Sequence, residues 1–400
     1  MTSKAYEIWS EGPSVESLFG KDFPLARDHI DWEQLEKDND QWVIEKWPFQ
    51  EEDVKEYLLS SNLGNFSTMC EYKFTCHRFA QSALGFPFGD RERTLWAARF
   101  VTLLFCLDED LDRNQKLHLL PILKGLVEGS KIFQGAGPLN KPQEPDPNDR
   151  AELAIAEAWG NIKRTSDPNT FQQLVRLTVD YFNAHGNIHY ENYDQYVATR
   201  RRNVGALPET MIDKTKYFMW GYGRYTLGIN LSDAQLEHPL IKELEDVAGL
   251  HIAFVNDYMS YTKEYLTDTA SNNILTLLQV NDKFTKEEAI KKIVNDIDRC
   301  EVRYVEIAKK VFEDGELSKS EDATKFTLNV PYALSGNAWW SQVTRRYDVD
   351  PNNPIPFRKI NIDRNQGYHP FAVKFVTQPT PNKLEEVKTD AVNTALAIPV

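Results

Sequence analysis

The sequence predicts an all-α protein, and three observations carry that prediction. Apolar residues recur at three- and four-residue spacing through much of the chain, the period of a helix buried on one side. Alternating β-branched runs joined by hairpin turns are nearly absent. Hydrophobic residues make up 41% and aromatic residues 12% of the 400, ample for a packed core and too many for a disordered chain.

Taken in order, the periodic stretches lie near 54–61, 91–107, 115–128, 150–163, 170–184, 240–264, 287–312 and 324–346. Between the third and fourth, "GAGPLNKPQEPDPND" (135–149) is rich in Pro, Gly and Asp and reads as a surface loop. His238 and Pro239 read as a turn before the sixth, and "KEEAIKKIVNDIDR" gives the seventh a charged, solvated face. Pro331 and Gly336 fall inside the eighth, so that helix is expected to kink or to begin late. "GYGRYTLG" at 221–228 contains Gly-x-Gly but follows no strand, which argues against a dinucleotide loop. The expected organisation is a partly ordered N-terminal segment over 1–49, one helical domain over 50–347, and a partly disordered extension over 348–400. No internal repeat of fixed period is present.

A formal charge of −14 and a pI near 5.2 exclude the basic patches that nucleic acid and anionic membranes require. They leave room for a phosphorylated substrate if metal ions bridge acid to phosphate. The start has no basic segment followed by an apolar core, and no stretch reaches 18 apolar residues, so neither a signal peptide nor stable membrane insertion is expected. Cys70, Cys76, Cys106 and Cys300 form no C-x-x-C pair or zinc spacing, which fits free thiols in a reducing compartment, the cytoplasm.

Two polar stretches interrupt the apolar pattern. In "LLFCLDEDLD" (103–112), Asp108 and Asp112 lie one helical turn apart behind Leu103, Leu104, Phe105 and Leu107. Carboxylates at that spacing are hard oxygen ligands suited to Mg²⁺, although for this run taken alone a solvated helix end is the favoured reading. In "FVNDYMSYTKE" (254–264), Asn256, Ser260 and Glu264 fall at i, i+4 and i+8, one stripe along about 12 Å of helix. An amide oxygen, a hydroxyl and a carboxylate suit one hard divalent cation. Lys263 beside them is placed to meet an anion held by the metal.

These stretches resemble the metal-binding motifs of class I terpene synthases, specifically the fungal and microbial sesquiterpene cyclases. Asp108, Glu109 and Asp112 match D-D/E-x-x-D, with Glu109 in place of the commoner second Asp. Asn256, Asp257, Ser260, Lys263 and Glu264 match N-D-x-x-S-x-x-K-E in full. "WSQVTRRY" resembles W-S-x-x-T-x-R-Y, with Trp340, Ser341, Thr344, Arg346 and Tyr347 in register. "RRRNVG" resembles the stretch carrying a diphosphate-sensing arginine before a helix-break glycine, here Gly205. That maps the sensor to Arg201, with Arg200 the second choice.

The resemblance covers most of 50–347 and implies a single class I terpenoid synthase α-domain, a helical bundle around a deep apolar cavity. It implies three Mg²⁺ ions, with Mn²⁺ a possible substitute. The first motif holds two, and Asn256, Ser260 and Glu264 hold the third. It implies an isoprenyl diphosphate substrate whose leaving group is gripped by Arg201 (or Arg200), Lys263, Arg346 and Tyr347. Phe105 and Trp340 match cavity aromatics of the family, with Trp339, Phe100 and Tyr225 further candidates. The expected activity is cyclisation of farnesyl diphosphate to a sesquiterpene hydrocarbon or alcohol, by a monomer or homodimer. The alternatives are a cyclase acting on geranyl or geranylgeranyl diphosphate and a catalytically silent helical scaffold. A chain-elongating prenyltransferase would need a second aspartate-rich motif where "NDYMSYTKE" stands.

Overall fold

The computed structural model describes residues 29, 31–49, 87–112, 145–183, 190, 192–197, 218–266 and 270–343. Among the described residues there are eight helices of ten or more residues and no strand. They are α1 (Trp32–Lys46), α2 (Arg91–Asp112), α3 (Arg150–Thr165), α4 (Pro168–Asn183), α5 (Phe218–Leu227), α6 (Pro239–Leu266), α7 (Lys286–Glu313) and α8 (Glu321–Val343). The periodic stretches expected at 54–61 and 115–128 lie outside the described residues.

Helix ends are marked by local chemistry. The Asp149 side chain accepts from the Ala151 and Glu152 amides and starts α3. Thr285 and Glu288 form a reciprocal capping box at the start of α7. Pro239 occupies the first position of α6, where its missing N–H removes nothing from the helix.

Helix α1 was hidden by its composition. It falls inside the stretch expected to be only partly ordered, yet Leu35, Asn39, Trp42 and Val43 form a buried stripe at i, i+4, i+7 and i+8. Acidic residues between them mask that period. Trp42 Nε1 donates to Glu157 of α3 at 2.9 Å, Lys46 pairs with the same carboxylate at 2.7 Å, and Arg99 of α2 lies over the Trp96 and Trp42 rings. Packing therefore carries the core back to α1.

Helices α2, α3 and α5 meet at Phe100, which is fully buried, stacks on Tyr222 at 5.7 Å and tilts onto Trp159 at 5.5 Å. The "GYGRYTLG" stretch is helical, and Gly221 lets α5 close on α4. A β-carbon there would come within 2.3 Å of Leu177 Cδ1. That glycine serves helix contact, not phosphate.

Helix α6 packs against both α7 and α8. Two buried pairs lock it in place: Arg224 of α5 with Glu245 at 2.5 Å, and His251 with Glu301 of α7 at 3.2 Å. Contrary to the expectation of a late start, α8 runs through Pro331 as one helix from Glu321. Proline removes the N–H that would satisfy the Thr327 carbonyl four residues back. The Tyr304 hydroxyl of α7 donates to that carbonyl at 2.7 Å instead. The polar group is paired, and the helix continues.

The segment before α1 is tied to the start of α2 through His29. Its Nδ1 accepts the Asp31 amide at 3.1 Å, which assigns the ring proton to Nε2, and Nε2 donates to the Gly89 carbonyl at 3.0 Å. Burial lowers the His29 pKa, against the opposing pull of the Gly89 carbonyl and Asp31. A lowered imidazole pKa means that protonation opposes folding. The contribution is thus full above the ordinary histidine value near 6.5 and is lost as pH falls from there through the folded-state pKa. The melting temperature of the wild type should fall more between pH 7.5 and pH 5 than that of His29→Gln; equal slopes in scanning calorimetry would refute this.

Candidate active site

The second polar stretch lies on the C-terminal half of α6. Asn256 is half-buried, Ser260 is 2% exposed and Glu264 is half-buried, one turn apart along one stripe. Helical side chains lean toward the N-terminus, so the Glu264 carboxylate reaches back over the turn of Ser260. The Ser260 hydroxyl donates to Glu264 Oε1 at 2.6 Å. The other oxygen, Oε2, accepts from Asn273 Nδ2 at 3.0 Å.

This donor set fits a divalent cation on its own geometry. Two hard oxygens 2.6 Å apart approach the ~3 Å edge between neighbouring ligands of an octahedral Mg²⁺ site, whose bonds are about 2.0–2.1 Å. A carboxylate offers roughly four acceptor positions, and the Ser260 and Asn273 bonds occupy one on each oxygen.

Asp257, the second letter of the motif, sits about 100° around the helix from Asn256 and does different work. It is 2% exposed, and its Oδ2 accepts the Tyr196 hydroxyl at 2.8 Å and the Ile274 amide at 3.0 Å. Tyr196 is fully buried and lies in helical residues 193–197. That segment is pinned to α7 and to the turn before it. The Tyr193 amide donates to Asp282 at 3.0 Å, its hydroxyl donates to Asp296 at 2.5 Å, and Lys292 lies 3.8 Å above its ring. Burial first, and then the Asp296 bond, hold the Tyr193 hydroxyl well above the usual phenol range, which keeps it a donor.

An aromatic contact joins α2 to α8. Phe105 and Trp340 face each other with ring centroids 6.5 Å apart, Trp340 being 2% exposed and Phe105 partly buried. Asn337 and Ser341, one turn apart beside Trp340, are buried as well.

Other expected residues distribute as follows. Asp108, Glu109 and Asp112 lie on the last turns of α2, the first and last of them one turn apart as the spacing requires, and Lys263 lies on α6. Their side chains, like that of Trp339, fall outside the described residues, as do Arg200, Arg201, Arg346 and Tyr347 entirely. Phe100 and Tyr225 belong to the packed core. Phe100 joins three helices, and the Tyr225 hydroxyl bonds to Thr165 of α3 at 2.5 Å. Asn273 and Tyr196 were not singled out from the sequence. The only local hint is that Asn273 precedes an apolar run, as an N-cap does; its Oδ1 accepts the Leu275 amide.

Comparison with known proteins gives one consistent picture. Residues 99–303 match the family model of terpene synthase family 2, C-terminal metal binding. Sesquiterpene synthase 14 of Postia placenta is 23% identical over 308 residues, 75% of this chain and 79% of its own. The (3S,6E)-nerolidol synthase of Selaginella moellendorffii is 25% identical over 342 residues, 82% of each chain. Aristolochene synthase of Aspergillus terreus is 23% identical over 328 residues, 79% of this chain and 90% of its own. Among solved structures, aristolochene synthase from Penicillium roqueforti superposes with a TM-score of 0.63 at 18% identity, covering 81% of this chain and all of that one. Hedycaryol synthase gives 0.59 at 15% identity, covering 80% and 96%. These likenesses share the all-α fold described above.

The Tyr196–Asp257 bond makes a quantitative expectation. Tyr196→Phe leaves Asp257 Oδ2 with one donor instead of two at a buried position, at a cost of about 1–3 kcal/mol. Urea unfolding should show a lower midpoint with an unchanged slope, and an unchanged midpoint would refute the anchoring role.

Proposed function

The chain belongs to terpene synthase family 2, an all-α class I terpene synthase, and on that footing we propose that it ionises farnesyl diphosphate with Mg²⁺ and cyclises the resulting cation to a sesquiterpene hydrocarbon or alcohol. The observation that carries the reading is the Asn256–Ser260–Glu264 stripe, with its hydroxyl and carboxylate oxygens already 2.6 Å apart. The fifteen-carbon substrate is favoured by relatives named sesquiterpene, nerolidol and aristolochene synthase.

Asn256, Ser260 and Glu264 would hold one ion, and Asp108, Glu109 and Asp112 the other two of three. When bound, Mg²⁺ supplies Lewis-acid stabilisation to the departing diphosphate oxygen without a proton. Arg201 or Arg200, Lys263, Arg346 and Tyr347 would bind the diphosphate. Arginine suits that task because its planar fork grips two oxygens and keeps its charge. The bond that breaks is the allylic C–O bond, and its electrons leave with the diphosphate. Phe105 and Trp340 present aromatic faces that attract positive charge, about 0.5–2 kcal/mol for an ordinary contact, and offer the cation no nucleophile. Loss of a proton ends the reaction as a hydrocarbon, and capture of water ends it as an alcohol.

The direct test is incubation of purified protein with geranyl, farnesyl and geranylgeranyl diphosphates, with Mg²⁺ or EDTA, and mass analysis of the volatile extract. A cyclic C15 product formed only with Mg²⁺ is expected. A product from another chain length would move the substrate assignment, and none from all three would favour the silent scaffold. Asn256→Ala combined with Ser260→Ala should abolish turnover with an unchanged circular dichroism spectrum. Full activity in that double variant would overturn the metal assignment.

A further inference from the structure

We infer that Asn273 is a positioning residue for the metal centre, fixing the rotation of the Glu264 carboxylate before any cation arrives; this rests on Glu264 being a metal ligand, as proposed above. Asn273 is 2% exposed and lies on the turn that follows α6, nine residues beyond Glu264. Its amide makes three hydrogen bonds. One Nδ2 hydrogen goes to the Asp257 carbonyl at 2.7 Å and the other to Glu264 Oε2 at 3.0 Å, while Oδ1 accepts the Leu275 amide at 2.9 Å. Two donors and one acceptor, diverging from a planar group, are what an amide offers and a carboxylate, hydroxyl or aliphatic side chain does not.

Its place explains why the clamp acts on the ligand and not merely on the turn. Glu264 has three rotatable side-chain bonds and is half-buried, so an unheld carboxylate would sample several rotamers that a cation would have to freeze. Ser260 holds Oε1 from one side and Asn273 holds Oε2 from the other. The Asn273 amide is itself referenced to the backbone of Asp257, within the motif. The carboxylate is therefore oriented relative to the helix that carries all three ligands. Groups of this kind behind a ligating carboxylate typically change metal affinity by about 10–100-fold when removed.

The test uses the full-length enzyme and Mn²⁺ as the probe, titrated by electron paramagnetic resonance with inorganic diphosphate present. Asn273→Ser keeps an oxygen able to cap the Leu275 amide but does not reach Glu264, and Asn273→Asp keeps length and cap acceptor but loses the donors. Both should weaken Mn²⁺ binding ~10–100-fold. The Mg²⁺ concentration for half-maximal turnover should rise in parallel, with kcat largely recovered at saturating Mg²⁺. A purely structural role would lower the melting temperature and leave Mn²⁺ affinity where it was. Glu264→Gln separates the two levels of the argument. If it weakens Mn²⁺ binding while a folded Asn273 variant binds as the wild type does, the positioning role is overturned and the ligand assignment stands. If Glu264→Gln itself binds Mn²⁺ normally, both fall.

Discussion

The buried carboxyl of Asp257 is the point at which three separate pieces of chain are made to agree. It receives a hydroxyl from the 193–197 segment and an amide from the turn after α6, and it is itself part of α6. A buried polar group with two donors aimed at one oxygen tolerates little rotation of the helix that bears it. Asn256, Ser260 and Glu264 occupy the adjacent stripe, so their direction follows from where Asp257 is held.

A helix such as α6 has to satisfy opposed demands. Its apolar residues pack between α7 and α8, and yet, on the function proposed above, it must carry oxygen ligands that remain usable by a cation. The polar groups meet this by partnering one another: Ser260 with Glu264, Glu264 with Asn273, Asn273 with the Asp257 carbonyl. Each bond lowers the cost of burial and also removes a rotation that ligand binding would otherwise have to freeze.

What the sequence disclosed and concealed divides along the range of the interactions involved. The stripe at 256, 260 and 264 was legible because it is a property of one helix and its period. Phe105 and Trp340 were each singled out only through the resemblance of a short motif, and their contact was not expected, since nothing local joins residues so far apart. The anchoring role of Asp257 was not legible, because its donors lie 61 and 17 residues away. Helix α1 was missed because Glu, Lys and Asp between its buried positions obscure the stripe, although Trp42 and Val43 pack fully once α3 is in place. The late start expected from Pro331 failed for the same reason in reverse. The rule that proline breaks a helix is local, and the remedy is a tyrosine 23 residues before the carbonyl it rescues.

That remedy has an implication for how α8 keeps its place against α7. Tyr304 acts as a peg driven into α8 at one level, so α8 can neither slide along α7 nor turn about its own axis without withdrawing it. Trp340 stands 13 positions farther along α8, about 20 Å from the peg. A small twist at the peg is carried along that length and arrives as a displaced indole. The setting of Trp340 is in this sense partly stored at a distance, at a hydroxyl–carbonyl contact buried between two helices.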